Sequence, residues 1–266
     1  MSKSWKTILI VLISFSIFLI MLNYVFERFF VILNDLSDYK SMNYVLVYLL
    51  IGMPLYGAVL ILHPPGFFFP SLGFHREIFK ALLFTFICNI PLLLGFVLLY
   101  SFNQGITLDL IVVTVFAAAF FEELYFRGFL FGQIFRFTRF GFVPAIIIPS
   151  VIFALLHLYQ SQDLVTMVGI FLVTLAGSAF FAWVYIEWDN NLWFPIFLHL
   201  FMNLIWSLFY GGSNALGSLY ENIFRMITIA LVIIGTLYYK KKRGLKLVIN
   251  KDTLWMKREI LSQEVV

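Results

Sequence analysis

Long apolar runs recur along almost the whole chain, each near the length that crosses the hydrocarbon of a bilayer and each closed by charges, prolines, glycines or amides. Eight of them are predicted helical spans: residues 7–26, 43–62, 78–100, 108–131, 142–159, 164–186, 192–209 and 222–239. The first follows Lys3 and Lys6 as a signal peptide would, but it runs into polar residues 23–28 without a small-residue cleavage pattern, so it is expected to remain as a span. The breaks between runs contain no linker of low complexity and no internal repeat. The predicted fold is therefore all-α: a polytopic helical membrane protein of about eight transmembrane helices around a central polar cavity. It is expected to be one membrane domain over residues 1–266, with a core at about 108–210 and a basic tail at 240–266.

Composition agrees with this pattern. Of the 266 residues 62% are apolar, 20% aromatic and only 12% charged, a balance that excludes an ordinary soluble domain. Cations next to spans are retained on the cytoplasmic side. Placing both termini there puts Lys3, Lys6, Arg76, Lys80, Arg136, Arg139 and the tail cations from Lys240 to Arg258 inside, and leaves Arg28 and Lys40 outside. The expected location is the plasma membrane of a bacterium or archaeon, or the endoplasmic reticulum membrane of a eukaryote. The net charge of +4 points to no nucleic acid, because the surplus sits in the tail, where it meets anionic lipid headgroups. Cys88 is the single cysteine and forms no internal disulfide.

An ionisable side chain at bilayer depth costs at least about 2.5–3.5 kcal/mol, so each one needs a partner or a wet cavity. Three spans hold such groups: Glu122, Glu123 and Arg127 in the fourth, His157 in the fifth, and His199 with Asn203 in the seventh. Glu123 and Arg127 are four apart with the acid first, the arrangement for an intrahelical ion pair, and are read as a structural unit. Glu122 lies about 100° away around the helix, lacks an adjacent cation, and is read as a general base for water. Phe153 and His157, and His199 and Asn203, are each four apart and share a face. By contrast Glu221 and Arg225, at the start of the last span, read as a snorkelling surface pair. His63 and His75 fall in a Pro- and Phe-rich interfacial segment and carry no functional weight.

These residues form three motifs in order, E-E-x-x-x-R at Glu122, Glu123 and Arg127, F-x-x-x-H at Phe153 and His157, and H-x-x-x-N at His199 and Asn203. With them the chain resembles the CPBP family of intramembrane proteases, also called the CAAX protease and bacteriocin-processing or Abi family. The resemblance covers about residues 112–207. It implies an endopeptidase with a cytoplasm-facing cavity that admits membrane-associated peptide, either prenylated CAAX tails or leader, bacteriocin and signal peptides. It also implies Glu122 as base for the attacking water, His157 as its assistant, and His199 with Asn203 as stabilisers of the oxyanion; Phe153 is a candidate substrate contact. If a zinc ion takes part, Glu122, His157 and His199 are its candidate ligands. That scheme leaves no separate carboxylate as base, and a metal-free site is slightly favoured. The alternatives are a non-proteolytic scaffold or bacteriocin-immunity protein and, more weakly, a small-solute transporter. Expected partners are a membrane-associated peptide or protein and membrane lipids, and the sequence sets no oligomeric state.

Overall fold

Inside hydrocarbon the backbone has no water to bond, so each span must satisfy its own amides and carbonyls as helix. A computed structural model describes residues 3–74, 77–212 and 214–257; His75, Arg76 and Arg258 lie outside them. The helices are α1 (Lys3–Tyr24), α2 (Phe26–Leu36), α3 (Lys40–Ile51), α4 (Met53–Leu62), α5 (Phe68–Leu72), α6 (Ile78–Leu99), α7 (108–137), α8 (Phe142–Leu155), α9 (Leu164–Glu187), α10 (Trp193–Leu208) and α11 (Leu219–Lys242). Among the described residues there is no strand, only two isolated bridges. The protein is an all-α polytopic membrane protein.

Every predicted span is helical, with four differences of detail. Five helices are each long and apolar enough to cross a bilayer, whereas the second predicted span is the pair α3 and α4, bent by 41°. Pro54 sits at the start of α4, where its missing N–H interrupts the ladder. At the bend a Cβ on Gly52 would crowd the Tyr125 and Tyr56 hydroxyls, so a larger residue there would displace these two side chains. α10 has 16 residues, about 24 Å of helix, and is shorter than a full crossing. α2 was not predicted: Glu27, Arg28 and Asp35 make it too polar for a span, yet it packs as an amphipathic helix on α3 and α1. The fourth difference lies in α7, where seven residues, Ile111–Ala117, and nine more, Glu123–Phe131, form wide π turns on either side of an α segment, Ala118–Glu122.

α7 is the central helix. All nine residues from Glu123 to Phe131 are buried, and it packs on α1, α3, α5, α8, α9 and α10. A helix so enclosed must be apolar on every side, which makes its few polar residues costly and therefore informative. α6, α10 and α11 pack together on one flank, and α8 pairs with α9.

The connection into α6 is held by Gly73, which ends α5 with φ +93° and accepts the Leu192 N–H at 2.7 Å. A Cβ there would meet the Asn190 carbonyl at 2.4 Å and the Tyr185 ring at 2.6 Å. Gly73→Ala therefore combines a left-handed backbone cost of about 1–2 kcal/mol with a clash against backbone. A clear drop in thermal stability in detergent is expected; an unchanged midpoint would contradict it.

Two expectations for charged residues need correction. Glu221 is fully buried, because its carboxylate accepts the N–H groups of Ser218 and Gly212 and closes the first turn of α11. Arg225 donates to the Ala215 carbonyl and lies over Trp206. These two are cap and packing, not a surface pair.

The tail is also more than a cationic anchor. The first N–H groups of a helix have no partner within it, and for α8 the tail supplies them: Gly141, Phe142 and Val143 donate to the carbonyls of Trp255, Thr253 and Leu254 at 2.7, 2.8 and 2.9 Å. Glu187 pairs with Lys240 and accepts the N–H groups of Val248 and Ile249. Lys257 is buried, donates to the Phe135 carbonyl and lies 4.4 Å over the Phe135 ring. Lys241, Lys242, Arg243, Lys246 and Lys251 remain exposed.

Burial pushes the Lys257 ammonium down to about 7. An undocked tail then holds the proton more tightly than a docked one, so docking strengthens as pH rises from about 7 toward the free lysine value near 10.4 and is flat below about 7. Hydrogen exchange at the Gly141, Phe142 and Val143 amides, corrected for intrinsic rate, should show more protection at pH 9 than at pH 7. Equal protection would remove Lys257 from the docking balance.

Candidate active site

The wide turns of α7 meet the short α10 where the costly polar residues are. Glu122 ends the α segment and Glu123 opens the second π segment, and π turns inside α-helices recur at functional sites. Glu123 and Arg127 are completely buried and pair at 3.1 Å. The same Glu123 oxygen receives His199 Nδ1 at 2.8 Å. On the other side of that imidazole, Nε2 stands 4.0 Å from a Glu122 oxygen. The two carboxylates, a quarter turn apart on α7, thus flank one histidine, because its two ring nitrogens face opposite ways.

Glu122 differs from its neighbour in surroundings. Its side chain is 29% exposed, whereas the oxygen nearest His199 is buried and forms no direct hydrogen bond. It lies within electrostatic reach of Arg127 and of Tyr44 and Tyr48 on α3, which Tyr159 also reaches. Glu122 is therefore the carboxylate open to a reactant, and Glu123 the one sealed against it.

Asn203, one turn beyond His199, donates through Nδ2 to the Thr114 carbonyl at 3.1 Å. A carbonyl partner fixes which end of the amide is nitrogen, and one N–H of that nitrogen remains for another acceptor. His157 stands just past the end of α8 and places Nδ1 2.7 Å from the carbonyl of Phe153. Nδ1 is thereby the donor, and in the neutral ring Nε2 is left as an acceptor. Phe153 backs the His157 ring at 4.5 Å and lies under the Arg127 guanidinium at 4.5 Å. The structure thus brings Glu122, Glu123, Arg127 and His199 into direct contact and ties Asn203 to α7. His157 shares no direct hydrogen bond with Glu122, His199 or Asn203 and joins the cluster through Phe153. Phe153 is buried between Arg127, Phe126 and His157, so as a substrate contact it stands behind the site rather than in it.

Among the described residues no three His, Cys, Asp or Glu side chains gather so as to hold a metal ion. Of the expected ligands, Glu122 and His199 face each other at 4.0 Å, while His157 bonds the Phe153 carbonyl; both histidines make these bonds through Nδ1 and leave Nε2 as the nitrogen that could meet a metal. A cavity of about 360 Å³ opens between α3, α7 and α10, and its walls are apolar: Leu49, Phe116, Ala117, Phe121, Ile196 and Leu200 among them. Its lining includes Phe121 and Leu200, the chain neighbours of Glu122 and His199.

Sequence reasoning missed Phe181, which stacks on the His199 ring at 5.5 Å and 16° and lies 5.4 Å from the Arg127 guanidinium. It also missed Tyr44 and Tyr48. Their one legible signal was a spacing of four on α3, and an aromatic pair at that spacing is ordinary in a membrane helix. Curated proteins and solved structures gave no match, whereas residues 104–205 match the family described as type II CAAX prenyl endopeptidase Rce1-like. That stretch contains Thr114, Glu122, Glu123, Arg127, Phe153, His157, Phe181, His199 and Asn203. Residues 104–205 are thus similar to an Rce1-like type II CAAX prenyl endopeptidase domain, the family of intramembrane endopeptidases that the three motifs also resemble.

Proposed function

We propose that the protein hydrolyses a peptide bond of a membrane-tethered substrate by water activated at Glu122. The observation that carries this is the pairing of Glu122 with His199 Nε2 across 4.0 Å, a separation too long for a direct hydrogen bond and suited to one water bonded to both groups. Glu122 takes a proton from that water as its oxygen attacks the scissile carbonyl. The remaining Asn203 N–H faces the oxyanion that forms, and His199 beside it holds the attacking water. Glu122 then gives the proton to the leaving amine as the C–N bond breaks. His157, whose Nε2 is an acceptor, assists in holding the water. No step is routed through a metal ion.

The substrate proposed is an extended peptide entering from the cytoplasmic side, with both termini of the protein on that side. Its apolar part, a prenyl chain or an apolar side chain, occupies the cavity walled by Ala117 and Phe121. The test is a quenched-fluorescent peptide made with and without a farnesyl group on its cysteine, given to purified protein in nanodiscs, with product termini read by mass spectrometry. Cleavage at one bond by wild type and none by His199→Ala is expected; equal cleavage by both would overturn the proposal. Ala117→Phe, which fills the cavity, should raise KM about tenfold or more while leaving kcat within about twofold, since binding surface is lost without disturbing the reacting groups. A change confined to kcat would place the substrate elsewhere.

A further inference from the structure

We infer that Glu123 is a positioning residue that sets the orientation and tautomer of His199. The inference rests on the proposed function for its kinetic consequence, but its structural part stands alone. A carboxylate oxygen accepts hydrogen bonds, and Glu123 Oε1 accepts one from Arg127 Nη1 at 3.1 Å while facing His199. The 2.8 Å contact to His199 therefore requires the proton to be on Nδ1. The other nitrogen, Nε2, is turned to Glu122. With the proton on Nδ1 it carries a lone pair there and accepts a hydrogen bond from the attacking water, whose other hydrogen goes to Glu122. Without Glu123 nothing in the site selects Nδ1–H.

The ring plane is set by the same unit. Phe181 lies nearly parallel to His199, and the Arg127 guanidinium lies between Phe181 and Phe153, the ring that backs His157. One buried cation thus ties together the aromatic supports of both histidines. An isolated structural lock of Glu123 with Arg127 would need neither the imidazole at 2.8 Å nor the two rings.

The test labels histidine isotopically in the protein in detergent and reads the ring-nitrogen resonances, assigned by single His→Gln variants. In wild type His199 should show a protonated Nδ1. Glu123→Leu with Arg127→Met replaces the buried pair by apolar groups of similar size, a change that folds are known to tolerate; it should release the tautomer and lower kcat about 10- to 100-fold with KM nearly unchanged. Glu123→Gln keeps an acceptor oxygen and should retain the Nδ1–H resonance. A wild-type His199 with bare Nδ1, or a double variant that keeps Nδ1–H and full kcat, would overturn the inference. If wild type cleaves no peptide while the resonances follow this pattern, the proposed function fails and the positioning role survives.

Discussion

Glu122→Gln should lower kcat by about 100- to 10,000-fold, the range that a positioned general base contributes, while leaving the fold intact. The amide has the size of the carboxylate but cannot take a proton from water. Stability should change little because the Glu122 side chain is partly exposed and makes no ion pair closer than 4.0 Å, unlike Glu123 beside it. Rates on the quenched peptide together with thermal unfolding in detergent check both halves. A variant that cleaves at the wild-type rate would remove Glu122 as the base. A variant that loses activity only by unfolding would show that the two adjacent carboxylates have been assigned the wrong way round.

The second large effect is expected at Arg127. Its guanidinium is fully buried and is the cation beside a fully buried Glu123. Truncation in Arg127→Ala strands that carboxylate in apolar surroundings, for which the cost is about 3–5 kcal/mol. It also removes the guanidinium that meets both the Phe153 and the Phe181 ring, the aromatic supports of the two histidines. The variant should express poorly or unfold at a much lower temperature. Glu123→Leu combined with Arg127→Met should recover most of the stability but not the activity. If Arg127→Ala alone proves as stable as wild type, the pair contributes nothing to the fold and the account of the core of α7 is wrong.

Much of this was legible in the amino-acid sequence because hydrocarbon is an unforgiving solvent. It restricts polar side chains to places where they are satisfied or used, so Glu122, Glu123, Arg127, His157, His199 and Asn203 stood out against a background of Phe, Leu and Ile. What could not be read was which of them touch. A helical period places Glu122 and Glu123 on different faces, and only the packing of α10 against the π turns of α7 shows both reaching one imidazole. The docked tail was hidden for a related reason. Its bonds to α8 are made by backbone carbonyls of Thr253, Leu254 and Trp255, and backbone carries no sequence signal. Phe181 was invisible as well, because one phenylalanine among 33 cannot announce which ring it supports.

The two sides of the reaction chamber have different origins along the chain. The proposed acid–base groups lie within residues 104–205, but Val45 and Leu49 of the opposing wall, with Tyr44 and Tyr48 within electrostatic reach of Glu122, come from α3. Grafting the matched stretch into another scaffold would thus transfer the proposed hydrolytic groups without the wall proposed to receive the peptide. Exchanging α3 between relatives would instead redirect which sequences are cut and leave the bond-breaking step untouched, so selectivity and chemistry can diverge on separate helices.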